Sequence, residues 1–225
     1  MFKPADLFDL KQTEHGPIFE GCDQAWAALK RIKDYVRQNV RPILNNKCQG
    51  RAFIGEQVFI GAGTVVEDGV MIKGPAIIGR NCEIRHNAYL REDVIIGDGC
   101  VVGNSCELKN SLLFNEAKVP HFSYVGDSIL GHKAHLGAGV KISNFKLMPG
   151  NITIEFNGKR IDTGLRKFGA LIGDGTDVGC NTVLNPGSII GRRSVIYPNT
   201  NWRGVLEADM IVKNKGNLQS VARRS

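Results

Sequence analysis

Apolar residues fall on every sixth position from Ile54 through Ile60, Val66, Ile72, Ile78, Ile84, Leu90, Ile96 and Val102 to Leu108, and Phe114 extends the series. A second block carries Ile172, Val178, Leu184, Ile190, Ile196 and Trp202 at the same interval. A helix repeats near 3.6 residues and a strand at two, so neither produces this period. It belongs to a coil of hexapeptides, each contributing one short strand and one corner. Glycine follows several anchors, as in Ile60-Gly61, Ile78-Gly79 and Ile190-Gly191, where a tight corner favours a residue without Cβ. Thr64, Ala76, Cys82, Ala88, Cys100 and Cys106 each lie four residues after an anchor and are small enough to fill the interior beside it. An all-β fold follows, a parallel coil with three hexads to a rung and rungs roughly 4.8 Å apart.

The pattern divides the chain. Residues 1–50 lack it; there Trp26, Leu29, Ile32, Val36 and Val40 have helical spacing after Asp23, and Pro42 marks the exit. This segment is expected to be a cap with an amphipathic helix, covering the bare strand edges of the first rung. The coil occupies 51–204 and supplies about seven rungs. Its register shortens to five-residue steps around Val119, Val125 and Leu130, then recovers at Leu136 and Ile142. An insertion at about 145–168 alternates Ile152, Ile154 and Phe156 with polar residues before Asn157-Gly158, the signature of a β-hairpin with a primed turn. Residues 205–225 form a tail with Lys213, Lys215, Arg223 and Arg224, expected to hold a short strand or helix and a mobile end.

Twenty-nine Lys and Arg against 22 Asp and Glu suit an anionic ligand. No basic run is interleaved with aromatics, which argues against nucleic acid. Six cysteines without a CxxC pair read as packing thiols of a reducing compartment. No apolar run has the length of a membrane span, and Met1-Phe2-Lys3 does not open a signal peptide. A cytoplasmic location is expected.

Arg91 and Lys109 lie 18 residues apart and both follow an anchor, so they should stack on one face. Like charges at that spacing repel unless a negative group lies beside them. Glu92, Asp93 and Glu107 are one source of that charge; a ligand phosphate is the other. His121 stands where the hexad register breaks, in Val119-Pro120-His121-Phe122-Ser123-Tyr124. The residues alone leave it either a general base or an ordinary exposed histidine.

Val102-Gly103-Asn104 with Glu107-Leu108-Lys109, His121 to Asp127, Leu136-Gly137-Ala138-Gly139 and Asn144 together resemble a known acetyltransferase domain. It is the C-terminal domain of the bifunctional N-acetylglucosamine-1-phosphate uridyltransferase/glucosamine-1-phosphate acetyltransferase family. The stretch from Gly158 to Gly173 is similar to archaeal-type sugar-1-phosphate nucleotidyltransferases carrying the same kind of domain. The resemblance spans roughly 70–204 and implies a left-handed parallel β-helix, assembled as a homotrimer with sites between subunits. It implies His121 as general base, Glu107 as the carboxylate orienting it, and the Ala138 N–H as oxyanion donor. Arg91, Lys109, Tyr124 and Lys167 would hold the phosphate of an amino-sugar phosphate, with Asn144 on the sugar. Acetyl-CoA is the implied co-substrate.

These residue types suit that chemistry. An imidazole titrating near pH 6.5 can take a proton from a hexosamine amine as it attacks a thioester. A backbone N–H can stabilise the oxyanion, and Arg offers a phosphate a bidentate fork. Departures remain. His135 replaces an asparagine near the substrate, Cys180 a serine near the coenzyme, and Pro198 a small residue there. No nucleotide-binding signature precedes the coil, so uridylyl transfer is not expected, although a separate nucleotidyltransferase is a plausible partner. Arg192, Arg193, Lys213 and Lys215 are the cations available for the coenzyme phosphates, and Cys180 is a thiol available to carry an acyl group. The alternative is a non-catalytic trimeric scaffold or regulatory subunit that binds a sugar nucleotide or a nucleotidyltransferase. A third class, the γ-type carbonic anhydrases, shares the coil and binds zinc through three histidines. The spacing of His86, His121, His132 and His135 does not match that ligand pattern, and no metal is expected.

Overall fold

The computed structural model describes residues 2–214. Its short parallel strands wind into a left-handed parallel β-helix of about nine turns. That is the hand the resemblance implied, and the opposite of the usual crossover preference. One of the three faces alone carries nine strands, from Lys47–Gln49 to Ile211–Val212. Strands therefore occur on both sides of 51–204, beginning at Ile43–Leu44. The hexad anchors stack in register, Ile60 on Ile78, Ile78 on Ile96 and Ile172 on Ile190, all fully buried.

The small interior positions have a second task. Thr64 Oγ1 donates to the Gly79 carbonyl at 2.8 Å, Cys82 Sγ to that of Gly97 at 3.1 Å and Cys100 Sγ to that of Phe114 at 3.0 Å. Thr176 and Ser194 do the same for Gly191 and Glu207. Each satisfies a carbonyl that the narrow interior closes off from water, which explains why these positions are so often Thr, Ser or Cys rather than Ala.

The shortened register has a definite location. Leu90 faces Leu108 at a spacing of 18, whereas Val94 faces Ser111 at 17, so one residue is lost at the corner holding Asn110. The next rung keeps the short corner, with Ser111 facing Ser128. Glu107–Leu113 and Tyr124–Leu130 consequently run as seven-residue strands around a bend that elsewhere interrupts pairing. Asn110 and Asp127 occupy the two bends with positive φ, which their short polar side chains tolerate.

The helical segment lies elsewhere than expected. It packs along a flank of the coil and leaves the first rung open, where Ile43, Leu44 and Phe53 are exposed. The reason is an apolar stripe on the outside of one face: Ile77, Ile95, Leu112, Ile129, Leu171 and Ile189, all buried beneath residues 2–40 and the insertion. Covering each of these six side chains is worth roughly 1.5–3 kcal/mol. Phe8 meets Phe114 at 5.1 Å between ring centroids, and Phe2 meets Phe156 of the hairpin at 5.2 Å. Helical spacing from Trp26 is realised as a 3₁₀ turn, Ala25–Lys30, followed by an α-helix, Ile32–Asn39. The hairpin forms as the sequence indicated, Thr153–Phe156 pairing antiparallel with Lys159–Asp162 through Asn157 and Gly158, both at positive φ.

Candidate functional site

The shortened corner carries a cleft of about 310 Å³ lined by Arg91, Lys109, Tyr124, Asn144, Phe145 and Lys167. Arg91 donates its backbone N–H to the Leu108 carbonyl, which sets it one rung from Lys109 as the 18-residue spacing required. Carboxylates offset the repulsion between them. Arg91 Nη1 reaches Glu107 Oε1 at 3.0 Å and its Nη2 reaches Glu92 Oε1 at 3.4 Å. Lys109 Nζ lies 3.7 Å from Asp127 Oδ2. Asn144 donates through Nδ2 to Tyr124 Oη at 3.3 Å and also to Asp127 Oδ2. Burial, together with the charges of Asp127 and Glu107, pushes the Tyr124 phenol above the usual tyrosine range.

Lys167 comes from the far end of the insertion. Phe168 N–H donates to the Asn144 carbonyl at 2.9 Å and Gly169 N–H to that of Asp127 at 2.8 Å, so the returning chain is bonded directly to the cleft rung. Phe145 and Asp127 were not singled out in the sequence. Phe145 stands beside Asn144 with the Arg166 guanidinium 4.6 Å from its ring centre, a pairing that only the folded insertion creates. Asp127 carried one signal, its place 17 residues from both Asn110 and Asn144.

His121 lies at a neighbouring edge of the coil, at the end of Lys118–His121 and three residues before Tyr124. It is exposed, and its ring nitrogens meet no hydrogen-bond partner among the described residues. Phe122, at positive φ, turns the chain there. Glu107 faces Tyr124 in register and bonds to Arg91, so within one chain it serves the cation and not the imidazole.

The next rungs stack on His121. Gly139 N–H donates to the His121 carbonyl at 2.9 Å, Asn181 N–H to that of Ala138 at 2.8 Å, and Asn199 N–H to that of Cys180 at 2.8 Å. Ala138, Cys180 and Pro198 therefore form a column along the edge that His121 occupies. The Ala138 N–H meets no acceptor among the described residues, whereas Gly137 N–H and Gly139 N–H are both engaged. A Cβ on Gly137 would stand 2.6 Å from the Cys180 nitrogen, so glycine is what lets these turns approach.

Other sequence-selected residues lie apart. His135 sits in the middle of a face with Nδ1 3.3 Å from Asp177 Oδ1 and does not line the cleft. Arg192 faces Asp174 at 3.6 Å and Arg193 holds Asp209 through two bonds of 2.6 Å, both at a different edge from Cys180. Lys213 follows Val212, whose carbonyl accepts from Tyr197 N–H, and so continues the Pro198 edge. Lys215, Arg223 and Arg224 lie outside the described residues. His86 Nδ1 bonds the Asp68 carbonyl and His132 Nδ1 that of Asn115. Among the described residues no three His, Cys, Asp or Glu side chains are grouped to hold a metal ion.

Residues 72–159 match the GMPPB C-terminal domain family. The chain is 40% identical over 88 residues to a bifunctional sugar-1-phosphate nucleotidylyltransferase/acetyltransferase of Sulfurisphaera tokodaii, a match covering 39% of this chain and 22% of that protein. It is 33% identical over 108 residues to the bifunctional protein GlmU of Methanococcus vannielii, covering 48% and 26%. The chain thus spans about a quarter of the curated relatives it matches. Among solved structures, the polySia specific acetyltransferase NeuO aligns with a TM-score of 0.44 at 15% identity, over 76% of this chain and 82% of that one. The family match takes in Arg91, Lys109, Tyr124, Asn144 and Phe145 of the cleft and ends before Lys167.

Proposed function

We propose that this chain is an N-acyltransferase that moves an acetyl group from acetyl-CoA to the amine of a hexosamine 1-phosphate. One observation carries the reading: Arg91, Lys109 and Lys167 converge with Tyr124 and Asn144 on one cleft. Three cations and a phenol suit a phosphate dianion, and an amide suits the hydroxyl or amine of its sugar. The relationship to proteins named as acetyltransferases supplies the reaction class.

In the reaction the amine nitrogen bonds to the thioester carbonyl carbon, the carbon–sulfur bond breaks, and the thiol departs. His121 takes the proton the amine sheds and returns it to the leaving sulfur, which departs as the thiol. The Ala138 N–H donates to the oxygen on which charge develops, a role open to it because it meets no acceptor among the described residues. Cys180 and Pro198 flank the coenzyme along the same edge, with Lys213 placed better than Arg192 or Arg193 to meet its phosphates. The working form is a homotrimer in the cytoplasm, so that a carboxylate or acceptor missing within one chain can come from a neighbour. A separate nucleotidyltransferase would consume the product.

A second reading is favoured by one specific observation. Among the described residues no carboxylate bonds His121, and Glu107 is already bound to Arg91, as in a binding scaffold that has kept its phosphate residues but lost turnover. The two separate in a thiol-release assay with acetyl-CoA and a panel of hexosamine 1-phosphates, run on wild type and His121→Ala. Turnover with at least one acceptor, reduced several orders of magnitude in the variant while sugar-phosphate binding survives, supports the enzyme. Binding without thiol release from any acceptor supports the scaffold.

A further inference from the structure

Asn110, Asp127 and Asn144 are 17 residues apart and stack as a ladder on the shortened corner. Asp127 is only 5% exposed. Asn110 Nδ2 donates to its Oδ1 at 2.8 Å, and Asn144 Nδ2 donates to its Oδ2. An ionised carboxylate accepts and never donates, so both asparagines must turn their amino groups towards it. The second hydrogen of Asn144 Nδ2 goes to Tyr124 Oη. Both donors of that amide are then used, and what Asn144 offers the cleft is its carbonyl oxygen. Tyr124, accepting from Asn144, keeps its own proton to donate.

We infer that Asp127 is a positioning residue that sets the hydrogen-bond polarity of the cleft: it fixes Asn144 with Oδ1 free for the ligand, so that the cleft selects a sugar phosphate bearing an O–H or N–H at that point. The inference rests on reading the cleft as an acceptor site for a sugar phosphate. It explains why a carboxylate is kept beside groups that bind an anion: Lys109 offsets its charge at 3.7 Å, while the amide orientation needs an acceptor that cannot reverse. Asparagine at 127 has the same shape but can present either end of its amide, so Asn144 would no longer be held one way round.

The test compares wild type with Asp127→Asn for binding of a hexosamine 1-phosphate, its monodeoxy and deamino analogues, and inorganic phosphate. Asp127→Asn should weaken the hexosamine 1-phosphate about tenfold or more, bring its affinity close to that of one analogue, and change inorganic phosphate less than about threefold. Equal weakening of the sugar phosphate and inorganic phosphate, or unchanged discrimination among the analogues, overturns the inference. Two further measurements keep it decidable. Combining Asp127→Asn with Asn144→Ala should add nothing to the loss caused by Asn144→Ala alone; full additivity overturns it. Tyrosinate absorbance should show one phenol, identified by its loss in Tyr124→Phe, titrating at lower pH in Asp127→Asn; an unmoved phenol overturns it. Should wild type bind no sugar phosphate, the acceptor-site reading fails, and the phenol titration still judges the contact between Asp127 and the Asn144–Tyr124 pair.

Discussion

Gly139 donates its N–H to the carbonyl of His121 at 2.9 Å, which places the histidine and the Ala138 turn on successive rungs of one edge. Main-chain bonding therefore fixes the backbone spacing between the residue that carries the proposed base and the proposed oxyanion donor. Flexible side chains do not set it.

The closeness of Gly137 to the next rung gives a first prediction. A Cβ there would press on the Cys180 backbone nitrogen and displace the turn that presents Ala138 N–H. Gly137→Ala is expected to lower the acyl-transfer rate at least about tenfold and to cost about 1–3 kcal/mol of stability. Thiol-release kinetics and thermal melts measure the two effects separately.

The cation pair gives a second. Arg91 and Lys109 stand one rung apart with their carboxylates already in place, so each truncation should act on anion binding. Arg91→Ala and Lys109→Ala are each expected to raise the KM for a hexosamine 1-phosphate roughly 10–100-fold, in line with about 1.5–3 kcal/mol for a hydrogen bond to a charged group. Wild-type affinity should also weaken as salt is raised. Titration calorimetry at two salt concentrations would show whether it does.

Acid should loosen the flank. His15 is half-buried beside Tyr35, with Nδ1 3.3 Å from its hydroxyl, and desolvation lowers its pKa from 6.5 to about 4. Between those values the unfolded chain binds more protons than the folded one, so stability is full above pH 6.5 and is lost as pH falls towards 4. The loss attributable to this group approaches about 3 kcal/mol. Denaturant unfolding across that range should show the slope in wild type and a flatter curve in His15→Gln.

A fourth prediction concerns the stripe beneath the helical segment. Trp26 packs with Phe168 at 6.4 Å and is nearly buried. Trp26→Ala is expected to cost about 3–5 kcal/mol and to make residues 2–40 susceptible to proteolysis before the coil itself unfolds. Cleavage confined to the coil would show that the segment is not a separable layer.

Much of this was legible in the sequence because a coil repeats its environment. Ile60, Ile78 and Ile96 meet identical neighbours at identical spacing, so one hexad announces the rest, and Asn157-Gly158 announces its hairpin through local turn chemistry alone. Arg91 and Lys109 could be stacked by counting. The position of residues 2–40 could not, because helical spacing says which side of a helix is apolar and not which surface will cover it. The stripe from Ile77 to Ile189 was visible as an extra apolar residue in successive strands, Ala76–Ile78, Val94–Ile96 and Ala170–Ile172. Its significance appears only once that face is seen to need a cover.

Sequence alone determined the rung, its interior and the resemblance that marked His121 and the cleft residues. Tertiary structure decided that Glu107 bonds Arg91, that Asp127 holds Lys109, Asn110 and Asn144, and that Lys167 returns to the same cleft. The physical reason is range. An 18-residue repeat says which positions of neighbouring rungs face each other, but which side chains there bond, the ladder at a spacing of 17 and the return of Lys167 across the insertion are settled only when the coil has closed.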